Sequence, residues 1–132
     1  MIAAVADTHA TVWYLLGDSR LSSRARATID EAASSGNQIG VSAITLAEVI
    51  YLTEKGRLAT EVLDRLFAAL QGEEVFVEVP FHQAVAQAMR GVSRSEVPDL
   101  PDRIIAATGV CLGAPVISRD SKIRASSVNT IW

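Results

Sequence analysis

The amino-acid sequence predicts an α/β sandwich, in which a mainly parallel sheet of about five strands carries helices on both faces. Short apolar runs typical of buried strands alternate with longer segments of helical periodicity along the whole chain. Glycines follow several of the helical segments, as is typical where a helix ends. No repeat, low-complexity tract or linker divides the sequence, so we expect one domain over residues 1–132.

Three elements are predicted at the start of the chain. Residues 2–6 form an apolar run typical of a strand buried on both faces. Residues 12–16 continue as an apolar helix that stops at Gly17, and the turn before this helix carries Asp7. Residues 22–36 begin with serine, contain good helix formers and close with glycine, so they predict a second helix.

The middle of the chain predicts one strand and two helices. Residues 39–41 indicate a short strand, and Ser42 is a suitable N-cap for an apolar helix that ends near Gly56. Residues 59–72 place apolar side chains at three- and four-residue spacing, which indicates an amphipathic helix. The same two patterns predict strands at residues 75–79, 115–117 and 128–131, and helices at residues 81–91, 100–112 and 121–125.

The composition excludes several classes of protein. Apolar residues make up 49% of the chain, which is too much for a disordered protein. No apolar run approaches the ~20 residues of a membrane-spanning helix, and Asp7 interrupts the first apolar segment, so we expect a cytoplasmic protein without a membrane partner. The single cysteine, Cys111, is interpreted as a small buried apolar residue.

The net charge of −3 argues against a general nucleic-acid coat, because such proteins bind through many basic contacts. The positive charge is nevertheless mostly arginine, which suits contact with phosphate, and several arginines lie in residues 19–29 and 118–124. Two interpretations stay open: these arginines form a basic rim around an acidic centre, or they are solvated helix residues.

Four acidic residues lie where charge is unusual: Asp7, Glu48, Asp102 and Asp120. Asp7 and Asp120 follow predicted strands, at the edge where parallel sheets form their ligand crevice. Glu48 is the only charge between residues 39 and 53, and an unpaired charge in so apolar a segment is costly. Asp102 lies at the start of an apolar helix, near the positive end of its dipole. All four side chains can therefore converge on one point.

Helix capping is the alternative role for the aspartates. Asp7, Asp99 and Asp120 each precede a predicted helix. Asp102 takes the third position of the helix that Asp99 would cap. Glu48 is harder to explain in this way, because it lies beyond the first turn of its helix and no Lys or Arg precedes it at helical spacing.

Convergence of these acids would require a cation. Carboxylates within ~4 Å of one another repel by several kcal/mol per pair at an effective dielectric near 20. They cannot all stay ionised without a positive partner. Oxygen ligands suit Mg²⁺ or Mn²⁺ better than Zn²⁺, which prefers histidine or cysteine. A carboxylate-held Mg²⁺ activates water and neutralises charge on phosphate, so the pattern indicates hydrolysis of a phosphodiester.

The segments that carry these acids resemble the PIN domain, and specifically the VapC-type toxins of prokaryotic toxin–antitoxin pairs. The resemblance rests on the strings VADTHATVWYLL, GVSAITLAEV, PDRIIAAT and PVISRDSKI, together with the closing VNTIW. It extends over essentially the whole chain, from Asp7 to Trp132. It implies a three-layer α/β/α fold and an Mg²⁺- or Mn²⁺-dependent endoribonuclease that a cognate antitoxin holds inactive. It also implies a homodimer.

The resemblance assigns roles to individual residues. Asp7, Glu48, Asp102 and Asp120 match the family's acidic quartet. Asp7 and Asp102 are then the direct metal ligands, whereas Glu48 and Asp120 act through water or hold a second ion. The positions implied as auxiliary are the acid Asp99 and the small hydroxyl residues Thr8, Ser42 and Ser118.

The chain departs from the resemblance in one place. Similar proteins often read His-Arg-Asp-Pro before the third acid, whereas residues 97–101 here read Val-Pro-Asp-Leu-Pro. A histidine and an arginine are thus missing from the rim, which bears on substrate engagement more than on metal binding. His9 follows the family's Asp-Thr-His turn, where we favour a structural role over catalysis.

The expected reaction is attack of a metal-activated water on the phosphorus of single-stranded RNA, whose unstacked backbone can enter a deep cleft. The helices predicted after Ser42 and Thr60 carry more apolar residues than one buried face absorbs, which indicates either an antitoxin groove or a homodimer contact. Two other functions stay open: an Mg²⁺-dependent module that accepts a phosphoryl group on aspartate, and a PIN-like binding module without catalysis.

Overall fold

The computed structural model describes residues 1–132 as five strands and seven helices. The strands are β1 (Ile2–Ala6), β2 (Gln38–Ser42), β3 (Phe76–Val79), β4 (Val116–Ile117) and β5 (Thr130–Ile131). The helices are α1 (Thr8–Leu16), α2 (Ser23–Ser34), α3 (Ala43–Glu54), α4 (Thr60–Gly72), α5 (Gln83–Met89), α6 (Leu100–Leu112) and α7 (Ser121–Ala125).

All five strands form one parallel sheet in the order β3-β2-β1-β4-β5. The order reverses at β1, which pairs with β2 on one side and with β4 on the other. A reversal of this kind leaves a crevice beyond the carboxyl ends of the central strands, because the connections leave the sheet there in opposite directions. The crevice lies next to Asp7, the residue after β1.

Helices cover both faces of the sheet. Ala4 and Ala6 of β1 contribute to a core that includes side chains of α1 to α4, whereas Val5 contributes to a second core with α5, α6 and α7. Alternate residues of a strand point to opposite faces, so β1 is buried between two layers of helix. The predicted α/β/α sandwich with a parallel sheet is confirmed.

The ends of several elements differ from the predicted ones for local reasons. β4 begins at Val116 rather than at Pro115, which has no N–H to donate; its carbonyl oxygen still accepts from Val5 N at 2.9 Å. β5 begins later than predicted, because Val128 N donates instead to the Ser126 hydroxyl. α5 begins after His82, whose Nδ1 accepts from Ala84 N at 3.2 Å.

Cys111 is a free thiol that is half-buried, whereas a buried apolar residue was expected. It packs against the second core from a turn of α6 whose neighbours Val110 and Leu112 are exposed. No helix of the chain combines the length and the apolar character needed to cross a membrane.

Candidate active site

A cavity of about 410 Å³ opens at the carboxyl edge of the sheet and is lined almost entirely by polar side chains. We call it the acidic cavity. Its lining residues are Asp7, His9, Trp13, Glu48, Asp99, Asp102, Arg119 and Asp120. The structure therefore brings together the four acids of the predicted quartet and the auxiliary acid, although they come from distant parts of the chain.

Asp7 is placed by the junction between β1 and α1. It is only 6% exposed, and it caps α1 by accepting a hydrogen bond from Ala10 N at 2.9 Å through Oδ1. The Thr11 hydroxyl donates to its backbone oxygen at 2.8 Å. The first bond thus holds the carboxylate of Asp7 and the second its backbone, at the edge of the sheet where the crevice opens.

Asp99 and Asp120 are placed in the same way at the starts of α6 and α7. Asp99 Oδ1 accepts from Asp102 N at 3.0 Å, and Asp102 is the third residue of α6. Asp120 Oδ1 accepts from Lys122 N and Ile123 N, both at 3.0 Å. The capping role weighed for three aspartates is therefore real, and it occupies one carboxylate oxygen of each. All three aspartates also line the acidic cavity, so capping and convergence are compatible.

Glu48 lies in the middle of α3 and has no cationic partner. Its Oε1 accepts a short hydrogen bond from the hydroxyl of Thr8, which also lies 3.1 Å from the hydroxyl of Thr45. The sequence placed Thr8 near the site, but its bond to Glu48 and the neighbouring hydroxyl of Thr45 were not predicted. The relevant signal was the pair of threonines that follow Asp7 and Ser42 on two neighbouring helices.

The small hydroxyl residues predicted near the site lie behind the cavity wall and bond the residues or helix ends that carry the acids. Thr8, Ser42 and Ser118 are buried, and none of them lines the acidic cavity. Ser42 caps α3 by accepting from Ile44 N at 3.2 Å, and Ser118 Oγ accepts from Asp120 N at 3.0 Å. They set the positions of Glu48 and Asp120.

Burial and mutual repulsion disfavour ionisation of three carboxyl groups. Burial is the main cause that raises the pKa of Asp7, although hydrogen bonds from Ser118 and Ala10 oppose it. Burial also raises the pKa of Glu48, against the hydrogen bond from Thr8. The pKa of Asp102 rises to about 7, first through burial and then through the charges of the other four acids. The cavity thus concentrates negative charge, and none of its acids forms an ion pair within the chain.

The donor set fits a hard divalent cation. It offers carboxylate oxygens and no thiolate, and His9 is its only imidazole. No three of the acidic, histidine or cysteine side chains form a preassembled ion site. Mg²⁺ does not need one, because it keeps several waters and binds proteins through one or two carboxylates.

Two residues that sequence analysis did not assign to a site complete the wall of the acidic cavity. Trp13 is buried, and the His9 ring lies 5.4 Å from its ring centre. The Arg119 guanidinium lies 5.7 Å from the same ring centre. Arg119 is the single arginine that lines this cavity, so a basic rim is present but small.

The segment that lacks the expected histidine and arginine keeps the expected acid, Asp99. Val97 is buried in the second core, and Pro98 is exposed. Asp99 lies at the cavity, between these residues and the start of α6. Arg119, which directly precedes Asp120, is the one arginine in the lining of this cavity.

Sequence and structure comparisons agree with this fold. A profile of the PIN domain matches residues 4–127. A chain of VapBC2 from Rickettsia felis, bound to a DNA fragment from its promoter, superposes with a TM-score of 0.73 at 17% identity, covering 99% of this chain and 98% of that one. A chain of a toxin–antitoxin complex from Klebsiella pneumoniae gives 0.64 at 23% identity, covering 98% and 97%. A chain of FitAcB from Neisseria gonorrhoeae gives 0.60 at 23% identity, covering 100% and 97%.

No curated protein shows significant sequence similarity to the chain. The three solved structures are less than 25% identical to it, so they bear on the fold. The profile, in contrast, spans four of the five strands at least in part, α1 to α7 and all five acids of the cavity, and it leaves out only β5 and the first residues of β1. On this match the chain belongs to the PIN domain family.

Proposed function

We propose that this protein is an Mg²⁺- or Mn²⁺-dependent endoribonuclease that acts as the toxin of a toxin–antitoxin pair. One observation carries the proposal: five carboxylates from four segments of the chain line a single cavity at the carboxyl edge of a parallel sheet. Such a group of carboxylates does not stabilise the fold by itself, because burial and, to a smaller extent, repulsion raise the pKa values of Asp7, Glu48 and Asp102. A divalent cation supplies the missing positive charge.

The roles of the acids follow from their positions. Asp7 and Asp102 are the proposed direct ligands, and Asp120 is a third ligand or acts through water. Glu48, which Thr8 holds through a hydrogen bond, would act through water or hold a second ion. Asp99 is auxiliary, because its cap on Asp102 N orients the first turn of α6. When bound, Mg²⁺ supplies charge for the phosphate oxygens and lowers the pKa of water.

The proposed substrate is single-stranded RNA. The acidic cavity is open: Asp7 is buried in its wall, whereas His9, Asp99 and Arg119 are exposed. An unstacked strand can bend to bring one phosphodiester into such a cleft, whereas base pairing and stacking hold the backbone of a duplex in a stiff A-form helix.

The proposed partner is a cognate antitoxin that binds α3 and α4. Ile50 on α3 and Phe67 on α4 are 38% and 39% exposed, and the two helices pack against each other. Apolar side chains grouped on neighbouring helices are typical of a surface that a partner covers. The structural neighbours include toxin–antitoxin complexes, which supports the same partner class. A homodimer is the other occupant that this surface suits.

Replacement of Asp7 by Asn tests the nuclease. Asn caps helices as well as Asp does, so α1 should persist while the charge is lost. We expect the wild-type protein to cleave single-stranded RNA with Mg²⁺ or Mn²⁺ and not with EDTA, and the Asp7→Asn protein to show no cleavage. Asp64→Asn on α4 is the matched control, because Asp64 is exposed and outside the cavity. Cleavage by Asp7→Asn at the wild-type rate would refute the proposal.

The same protein samples separate the other functions. A phosphoryl-accepting module would be labelled by acetyl phosphate and would lose the label in Asp7→Asn, whereas a binding module without catalysis would show neither label nor cleavage. For the partner, the product of the neighbouring gene should inhibit cleavage by the wild-type protein, and Phe67→Ser should weaken this inhibition. Leu112→Ser is the control, since Leu112 is equally exposed on α6. Equal inhibition of both variants would place the partner elsewhere.

A further inference from the structure

A second cavity of about 210 Å³ lies beside the acidic cavity. The two cavities share the side chains of His9 and Trp13, which form the partition between them. The second cavity carries two arginines, Arg20 and Arg57, and no acid lines it. We call it the arginine cavity. Its remaining wall includes Leu52, next to α3's carboxyl end.

Arg57 is the arginine of this cavity whose positive charge is not paired within the chain. It is exposed and follows Gly56, whose φ of 70° ends α3, and its side chain makes no hydrogen bond or ion pair. Its backbone N–H donates to Leu52 O at 2.9 Å, so the turn that carries it is tied to the helix. The guanidinium therefore projects from a fixed turn and has no internal partner.

Arg20 is already engaged. Its Nε and one terminal nitrogen bond the Asp18 carboxylate at 3.1 and 2.7 Å, and its guanidinium lies 5.0 Å from the centre of the Trp13 ring. These contacts cancel much of its charge and fix its position. Arg20 thus shapes the wall, whereas Arg57 supplies the uncompensated positive charge.

A third arginine, Arg119, lies on the other side of the shared Trp13 and lines the acidic cavity. Arg119 lies 5.7 Å from the Trp13 ring and makes no ion pair, although acids line the same cavity. Arg119 and Arg57 therefore offer free charge at the two sides of Trp13. The chain as a whole carries a net charge of −3, so these two arginines make a local positive region on a protein that is otherwise negative.

We propose that the arginine cavity is a subsite for a phosphate that neighbours the scissile one, with Arg57 as its positioning residue. This inference rests on the proposed nuclease function. A phosphodiester that approaches five carboxylates is repelled, and an adjacent positive site offsets that repulsion by binding the next phosphate of the same strand. His9, exposed on the partition, lies where the linking nucleotide passes.

Binding to a catalytically silent protein tests the subsite without cleavage. The probe is a fluorescein-labelled single-stranded oligouridine of about 12 nucleotides, within the range of single-strand site sizes. In the Asp7→Asn background and in EDTA, Arg57→Ala should weaken binding roughly three- to fivefold, the effect of one exposed charge contact. It should also reduce the slope of log affinity against log salt by about 0.7, the value for one phosphate of a single strand.

Two matched variants complete the binding experiment. Arg57→Lys should restore the salt slope, because it restores the charge. Arg90→Ala should bind like the parent, since Arg90 is exposed and lines neither cavity. Equal RNA binding by Arg57→Ala and Arg90→Ala would overturn the subsite. The subsite would also be overturned if Arg57→Ala weakened only the binding of the neighbouring gene product, because Arg57 would then belong to a protein contact.

Cleavage by the otherwise wild-type protein gives a second readout. Arg57→Ala should raise KM for the oligouridine and leave kcat unchanged, whereas a dinucleotide with a single phosphodiester should be cleaved equally by both proteins. A lowered kcat on both substrates would contradict a positioning role. If Asp7→Asn cleaves RNA as fast as wild type, the nuclease proposal fails, but the binding results with Arg57 variants still decide the subsite.

Discussion

The hydroxyl of Thr8 donates a hydrogen bond to the carboxylate of Glu48 and so joins the first turn of α1 to the middle of α3. Thr8 is 4% exposed and Thr45, whose hydroxyl is its other neighbour, is fully buried. Water is therefore largely kept from the back of Glu48. A neutral donor holds this acid, so its charge remains available to a cation.

Replacement of Thr8 by Val should destabilise the protein. Valine has nearly the shape of threonine but leaves Glu48 without a donor, and an unsatisfied buried polar group costs about 1–3 kcal/mol. The loss should be larger at pH values where Glu48 is ionised, because the bond favours the charged form and lowers its pKa. Urea unfolding at several pH values measures this. Thr8→Ser, which keeps the hydroxyl, should retain most of the stability; an equal loss in both variants would contradict the role of the bond.

Stability without metal should fall as the pH rises from about 4 to about 7. The pKa of Asp102 is raised from 3.8 to about 7 in the folded protein, so the folded state binds more protons than the unfolded state in this range. Stability then decreases with pH and levels off above the folded pKa. The raised pKa values of Asp7 and Glu48 act in the same direction. Thermal unfolding in EDTA over this range measures the trend.

Asp102→Asn should remove a large part of this slope and raise the melting temperature in EDTA above neutral pH. A gain of 1 kcal/mol corresponds to about 4 °C in a domain of this size. The gain would be accompanied by loss of cleavage, because a proposed ligand is gone. Asp64→Asn should leave both the slope and the activity unchanged. A steep slope that survives in Asp102→Asn would assign it to other groups.

Addition of Mg²⁺ or Mn²⁺ should stabilise the wild-type protein at neutral pH. A ligand that binds only the folded state adds about 2.7 kcal/mol at one hundred times its dissociation constant. The Asp7→Asn and Asp102→Asn proteins should gain much less, since each lacks one proposed ligand. Differential scanning calorimetry across a metal titration tests this, with K⁺ at equal ionic strength as the control for screening. Equal stabilisation by K⁺ would argue against a specific site.

Replacement of Gly109 by Ala should loosen α6 from the sheet. An added Cβ would lie 2.6 Å from Val116 Cγ2 and 2.9 Å from Ala114 O, and overpacking of this kind costs about 1–3 kcal/mol. Because α6 carries Asp102 and β4 leads to Asp120, metal affinity should fall as well. Gly72→Ala at the end of α4 is the matched control, since nothing lies within 4 Å of its added Cβ. Equal melting temperatures of the two variants would contradict this packing.

Local signals in the sequence account for most of the elements. α6 spans the predicted residues because Asp99 caps its start and Gly113, at φ 64°, ends it. The strand ends at Pro115 and Val128 were misjudged, since apolar character alone does not show which backbone groups pair across a sheet. Neither the Thr8–Glu48 bond nor the packing of Arg119 on Trp13 was predictable, because both depend on how separate elements meet in space.

Three helices begin at aspartates that also line the acidic cavity. The positions of these carboxylates therefore depend on the helix starts that they cap. The amide hydrogens of Ala10, Asp102 and Ile123 are bonded to Asp7, Asp99 and Asp120. Fraying at any of these turns frees a carboxylate to swing away, so the cleft keeps its shape only as long as its surrounding turns stay wound. The rate of deuterium uptake at these three amides would thus report how often the carboxylates of the acidic cavity leave their positions.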